Sequence, residues 1–318
     1  MKKGLLKMDQ VNQKNYPKLT LGTVQLGLKY GIANKIGMPN VQDAIEILNY
    51  ALLKNVTEFD TAPYYGESEP LIGRFLQEQK KHSQSLPKIF SKLPEVKMAD
   101  TTSYRELLQE VERNLRASLN KLAIQSIDGY SLHHERNLTS HQGKLIECLV
   151  TLKKQGLIKN IGASVYTPEA VRQVIESDCF DMIQVPINVF NQQLIHTGLL
   201  EKLSKHHIKI YVRSVYLQGL LLMKTDELPD QLKFAKKWLD PFHEIASENE
   251  MDPSVLAFCF VRDLPQIHSI VIGCETLSQL KNNINMMTLP KLPTSVVHQL
   301  TELFRDVPER VSNPTLWK

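Results

Sequence analysis

The stretch TEFDTAPYYGESEPLIGRFL, residues 57–76, decides how this chain is read. A short run ending in Asp60 reads as a strand. Pro63 and Gly66 then bend the backbone. From Ser68, which suits an N-cap, the pattern turns helical. A strand therefore enters a helix through a loop that carries an acid and two adjacent tyrosines, Tyr64 and Tyr65.

The same unit recurs along the chain. LTLGTVQLG (19–27) precedes a helical 41–55. KIFSKL (88–93) precedes 102–122, and SIDGYSLHH (126–134) precedes 143–156. KNIGASVY (159–166) leads to a helix capped by Thr167, with Pro168 in its first turn. MIQVPINVF (182–190) precedes GLLEKLSKHH (198–207). KIYVRSVY (209–216) precedes a polar stretch and two helical segments, 240–250 and 253–264. IHSIVIG (267–273) precedes 276–287. Such alternation predicts a parallel sheet. Eight units of this length predict an α/β chain closed into a (β/α)8 TIM barrel. An open doubly wound sheet is the competing topology, but no GxGxxG follows the first strand. No linker or composition break divides the chain, so one domain is expected over 19–318, after a flexible tail, 1–18. Residues 295–307 read as an extra C-terminal helix packed outside the barrel.

Hydrophobic residues make up 42% and charged residues 23% of 318, ordinary for a globular chain. The net charge of +4 is dispersed, and KKH at 80–82 reads as a solvated helix end, so no nucleic-acid surface is expected. Cys148, Cys179, Cys259 and Cys274 stand far apart without a CxxC, which fits a reducing compartment and no metal or disulfide framework. The N-terminus is too polar for a signal peptide, and no apolar run could span a membrane. A cytoplasmic location is the expectation.

Barrel chemistry sits at the C-terminal ends of strands. That zone holds Asp60 after the second strand, Lys92 in the third and His133 ending the fourth, with Tyr64 and Tyr65 in the loop beyond Asp60. Singly, each has an ordinary structural reading: turn acceptor, surface lysine, core histidine, packing ring. Their convergence on one mouth is the argument. A lysine beside Asp60 stays charged, and an ammonium near a phenol lowers its pKa from about 10. That tyrosine becomes a proton donor, and a neutral imidazole can hold a carbonyl oxygen. The set describes carbonyl reduction with hydride arriving from elsewhere.

FDTAPYYGESEPLIG, SKL, DGYSLHH, IGASVY, IQVPIN, RSVYLQGLL and VIGCETLSQLKNNI, in this order, resemble the motif set of the aldo-keto reductase family from about residue 19 to 290. The resemblance implies an NAD(P)H-dependent oxidoreductase that reduces an aldehyde or ketone. It implies Tyr65, five positions after Asp60, as proton donor, with Lys92 and His133 completing the catalytic set and Tyr64 as pocket wall. It implies that Ser164 and Gln184 hold the nicotinamide carboxamide, with Asn188 near that floor. Ser214, Leu217 and Gly219 would cradle the pyrophosphate. Gly273, Gln279 and Asn283 would line the adenosine end. No GxGxxG is needed, because the family binds its cofactor without a Rossmann fold.

Four positions depart from the family pattern. Val165 stands where many members have Asn. Arg213 replaces an aromatic residue that stacks on nicotinamide; a guanidinium can stack too, and beside a cationic ring it favours the reduced cofactor. After the eighth strand, Cys274 and Glu275 replace the usual basic residues. A carboxylate there repels a 2′-phosphate and suits ribose hydroxyls. NADPH is expected on family grounds, by a narrow margin over NADH. LGTVQLGLKYGIAN, SVYTPEAV and IQVPINVFNQQL look most like a bacterial branch tied to sugar or surface-polysaccharide pathways, which implies a sugar-derived carbonyl.

Two rivals come from other classes. Lys92 could form a Schiff base, as in class I aldolases. A non-catalytic cofactor-sensing subunit could share the fold. A metal held by His133, His134 and Asp128 is disfavoured, because adjacent strand residues point to opposite faces. Substrate choice should lie in the loops 28–40, 94–101, 191–197 and 217–240.

Overall fold

The computed structural model describes residues 18–82 and 84–317. The expected flexible tail lies, through residue 17, outside the described residues, and Lys18 already begins the first strand. Eight strands follow: β1 (Lys18–Gly22), β2 (Glu58–Asp60), β3 (Lys88–Leu93), β4 (Gly129–Leu132), β5 (Ile161–Ser164), β6 (Met182–Pro186), β7 (Lys209–Arg213) and β8 (Ser269–Gly273). They close in chain order into a parallel barrel, with β1 pairing β8 from Lys18↔Ser269 to Gly22↔Gly273. Right-handed crossovers between parallel neighbours require a helix at each step, which is why strand and helix patterns alternate.

The helices start where the sequence supplies caps. Ser103 and Glu106 form a capping box ahead of Tyr104–Leu122, and Thr276 and Gln279 form another ahead of Leu277–Met286. The Thr167 side chain caps Pro168–Glu176. Ser68 does not cap as expected. It is the first helical residue of Ser68–Lys81, and its buried hydroxyl bonds Thr23 Oγ1 at 2.6 Å and Thr61 Oγ1 at 2.9 Å. Those inter-element partners outcompete a local cap.

The main core lies between barrel and helix ring. Phe90, Met182, Tyr211 and Val271 form a smaller cluster. The C-terminal helix, Thr294–Leu303, packs outside the barrel as expected: Leu300 is fully buried, its carbonyl accepts from Gln192 Nε2 at 3.0 Å, and the Phe304 ring meets Phe190 at 5.0 Å. Among the described residues no helix is long and apolar enough to cross a membrane.

Candidate active site

At the C-terminal ends of the strands lies a cavity of about 740 Å³. Asp60 ends β2 and is almost fully buried. Lys92, 2% exposed, reaches across from β3. Its ammonium donates to both Asp60 oxygens at 2.8 Å and to the Thr61 carbonyl at 2.9 Å, so all three donors are used. Gln184 Nε2 donates to Asp60 Oδ1 at 2.9 Å. Burial works to lower the Lys92 pKa, but Asp60 and Tyr65 outweigh it and hold the ammonium above its usual range.

Tyr65 sits over this pair, with Lys92 Nζ 5.0 Å from its ring centre. Two glycines set its height. Gly27 ends the short helix Val24–Gly27, and a Cβ there would lie 1.8 Å from the Tyr65 carbonyl oxygen. Gly66, at φ +55°, would place a Cβ 2.3 Å from the Gly27 oxygen. Glu67 N–H donates to that same oxygen at 3.1 Å. The loop therefore rests backbone on backbone. The phenol does not behave as the sequence argument expects. Burial raises its pKa more than Lys92 lowers it, so the hydroxyl keeps its proton through neutral pH.

His133 lies just beyond β4 and meets Tyr65 edge-on, with ring centres 6.2 Å apart. Burial, then Lys92, His134 and Arg213, hold its pKa down to about 3, so the imidazole is neutral. Its Nδ1 is buried and has no hydrogen-bond partner among the described residues. The Tyr64 ring covers it at 5.7 Å and is itself half exposed, with the phenol oxygen accepting from Glu95 N–H. His134 does not point away as strand alternation predicts. β4 ends at Leu132, so the alternation lapses, and the two imidazoles stack at 5.0 Å. Asp128 is remote from them in role: it bonds Lys159 and the Ile89 N–H. Among the described residues no group of three or more His, Cys, Asp or Glu could hold a metal.

Of the residues expected to hold a cofactor, Ser164, Gln184, Arg213, Ser214, Gly219, Gly273, Glu275, Gln279 and Asn283 line the cavity. Leu217 does not; its side chain is fully buried in the core and contributes only its backbone turn. Asn188 is also off the wall. It donates to the Ser214 carbonyl at 3.0 Å and so supports the loop from beneath. Gln279 spends its oxygen on the Glu275 and Thr276 N–H groups. Tyr216 donates to Asn283 Oδ1 at 2.8 Å and fixes that amide. Cys274 is buried, and burial pushes its thiol up to about 12.

Two features of the wall suit a phosphate-bearing group. Leu217, Gln218 and Gly219 have φ of +50°, +55° and +96°, a turn of the kind that gathers backbone dipoles around an anion. A Cβ at Gly219 would lie 2.4 Å from Ala33 Cβ, so only glycine lets the loop close against the 31–34 segment. Gln25 Oε1, beside Gly273, lines the same cavity; it is buried and among the described residues has no donor. Gln25, Tyr30 and Tyr166 also line the cavity, and nothing in their local sequence marks them as site residues.

The aldo/keto reductase family profile matches residues 18–305. The chain belongs to the aldo/keto reductase family. Among curated relatives, an uncharacterised oxidoreductase of Bacillus subtilis is 21% identical over 273 residues, 81% of this chain and 86% of its own. An NADH-specific methylglyoxal reductase of Escherichia coli is 23% identical over 255 residues, 72% of this chain and 78% of its own. An aldo-keto reductase from Bacillus halodurans, in its holo form, superposes with a TM-score of 0.70 at 17% identity, covering 94% of this chain and 95% of that one. A glycerol dehydrogenase from Gluconobacter oxydans superposes with 0.67 at 21% identity over 93% of each chain. The family match and the curated relatives indicate an oxidoreductase; at such identities the solved structures speak for the fold alone.

Proposed function

We propose that this family member reduces an aldehyde or ketone to an alcohol with Tyr65 as proton donor. The observation that carries the reading is the meeting of Asp60, Lys92, Tyr65 and a neutral His133 in one cavity whose wall also includes Glu275 and Asn283. A bound reduced nicotinamide would supply the hydride to the carbonyl carbon. Ser164, Gln184, Gln25 and the 214–219 loop would hold that cofactor. His133 orients the carbonyl oxygen as a neutral hydrogen-bond donor, because an imidazolium is disfavoured there. Tyr65 keeps its proton until negative charge develops on that oxygen, then donates it. Lys92 stabilises the resulting phenolate, and Asp60 keeps Lys92 charged and in place.

A Schiff-base role for Lys92 fits poorly. Its nitrogen is charged and fully engaged, whereas a nucleophilic amine must be neutral. The intact set also argues against a purely sensing role. After β8 the wall carries Glu275, and among the described residues no lining lysine or arginine follows that strand. That arrangement supports weak discrimination between NADPH and NADH, with NADH well accepted. The E. coli relative named as NADH-specific accords with this. A sugar-derived carbonyl is the substrate to test first. The experiment is a panel of aldehydes and sugar carbonyls, assayed with each reduced cofactor by loss of nicotinamide absorbance. No turnover across the panel with either cofactor would refute the reading.

A further inference from the structure

The segment that follows β4 does more than carry His133. His133 and His134 line the cavity, whereas Glu135, the next residue, stands behind the wall. Glu135 opens the short helix Glu135–Leu138 and spends its carboxylate on the loop after β5. Its Oε2 accepts from the Tyr166 N–H at 2.8 Å, the Thr167 N–H at 3.1 Å and the Thr167 hydroxyl at 3.3 Å. Three donors from two consecutive residues thus converge on one oxygen. Hydrogen bonds to an ionised acceptor are roughly twice as strong as neutral ones.

The helix that begins here does not need this carboxylate as its cap. Thr167 is the N-cap of Pro168–Glu176, and its own Oγ1 accepts from the Ala170 N–H at 3.2 Å. Glu135 instead claims the N–H groups ahead of the helix, and those belong to the cavity wall. Ser164 ends β5 and lines the cavity, as does Tyr166 two residues later. Val165 between them is fully buried and has no polar side chain to tie the turn down. The Tyr166 ring in turn meets the guanidinium of Arg213 at the end of β7, with Cζ 4.1 Å from the ring centre. On its other side Glu135 is two residues from His133, and His134 between them stacks on that imidazole at 5.0 Å.

We propose that Glu135 is a positioning residue: it locks the cavity-facing end of β5 to the segment that carries His133, and so fixes the spacing between the Ser164–Tyr166 wall and that imidazole. The proposal rests on the reductase reading above, in which Ser164 helps to hold the cofactor and His133 the carbonyl oxygen. Glu135 itself touches neither ligand. Transfer between two held groups depends steeply on their placement, and an error of about 1 Å can cost about 10²-fold in rate.

The test asks whether Glu135 does more than steady a helix. E135A removes the acceptor, E135D withdraws it by one carbon while keeping the charge, and E135Q keeps a neutral acceptor at full length. T167V is the control: it removes the helix cap and the hydroxyl donor but leaves both N–H bonds to Glu135. Melting temperature, NADH affinity by fluorescence titration and steady-state reduction of the panel's aldehydes are measured on each protein. E135A and T167V should both melt lower. E135A and E135D should lower kcat by about 10–100-fold and weaken NADH by about tenfold. E135Q should recover most of both losses, and T167V should leave both values near wild type. E135D retains the charge and most of the side chain, so it keeps the test valid should E135A fold poorly. Wild-type kcat and NADH affinity in E135D and E135A would overturn the proposal and leave the reductase reading standing. Losses matched by T167V at equal melting temperature would also overturn it, assigning Glu135 to helix stability alone. NADH binding that weakens in E135A and E135D, with no aldehyde of the panel turned over by any of the proteins, would uphold the lock and sink the reductase reading instead.

Discussion

Lys92→Met separates the structural from the chemical role of the buried ion pair. Lys92 places three donors on Asp60 and the Thr61 carbonyl, and methionine removes all three while filling much of the same volume. Asp60 is then a buried carboxylate with Gln184 Nε2 as its remaining side-chain donor. Breaking a buried pair from one side costs about 3–5 kcal/mol. For a chain this long the unfolding entropy is about 0.7 kcal/mol/K, so the melting temperature should fall by about 4–7 °C. Asp60→Asn combined with Lys92→Met removes both charges and should regain most of that loss, because an apolar or neutral replacement of a whole pair is close to neutral. Differential scanning calorimetry of wild type, both singles and the double closes the cycle. Carbonyl reduction should fall by about 10²-fold or more in Lys92→Met and should not return in the double. A double variant no more stable than Lys92→Met would refute the claim that an orphaned Asp60 charge carries the cost. Near-full activity in a folded Lys92→Met protein would remove the lysine from the chemistry.

Tyr65→Phe should abolish most carbonyl reduction while leaving NADH binding by fluorescence titration intact, whereas Tyr64→Phe, whose phenol serves Glu95 N–H, should be mild; the reverse pattern would show that the donor is misassigned. Glu275→Arg should shift cofactor preference toward NADPH by about tenfold, since exchanging repulsion for attraction near a phosphate is worth about 1–2 kcal/mol at surface dielectric, and the shift should shrink at high salt. His133 should make stability acid-sensitive: the unfolded chain takes up the proton near pH 6.5 and the native chain only near 3, so acid favours unfolding in that window. Denaturant titrations should show about 1–2 kcal/mol of stability lost to this group between pH 7 and pH 5, discounted for its partial exposure, and His133→Gln should flatten that slope.

The strands were legible because a barrel strand is buried on both faces and bounded by polar loops. KIFSKL coincides with β3 from end to end. What escaped were features set by contacts between distant segments. Ser68 looks like a cap locally, but Thr23 and Thr61 claim its hydroxyl. The two histidines look opposed while β4 is taken to continue, and stack because it stops. A basic neighbour predicts an acidified Tyr65, and only packed coordinates reveal that burial outweighs it. The pairing of Arg213 with Tyr166 joins residues on different strand ends, and no local pattern announces it.

The seat of Tyr65 is made without side chains: Gly27 and Gly66 touch through peptide groups alone. Such a contact has no graded variants. It can be kept or broken, since even a methyl group would overlap an oxygen. Arg213 and Tyr166, on the wall of the same cavity, meet the other way, through side chains. A change at 27 or 66 therefore displaces the Tyr65 loop outright, whereas one at 166 or 213 alters a side-chain contact.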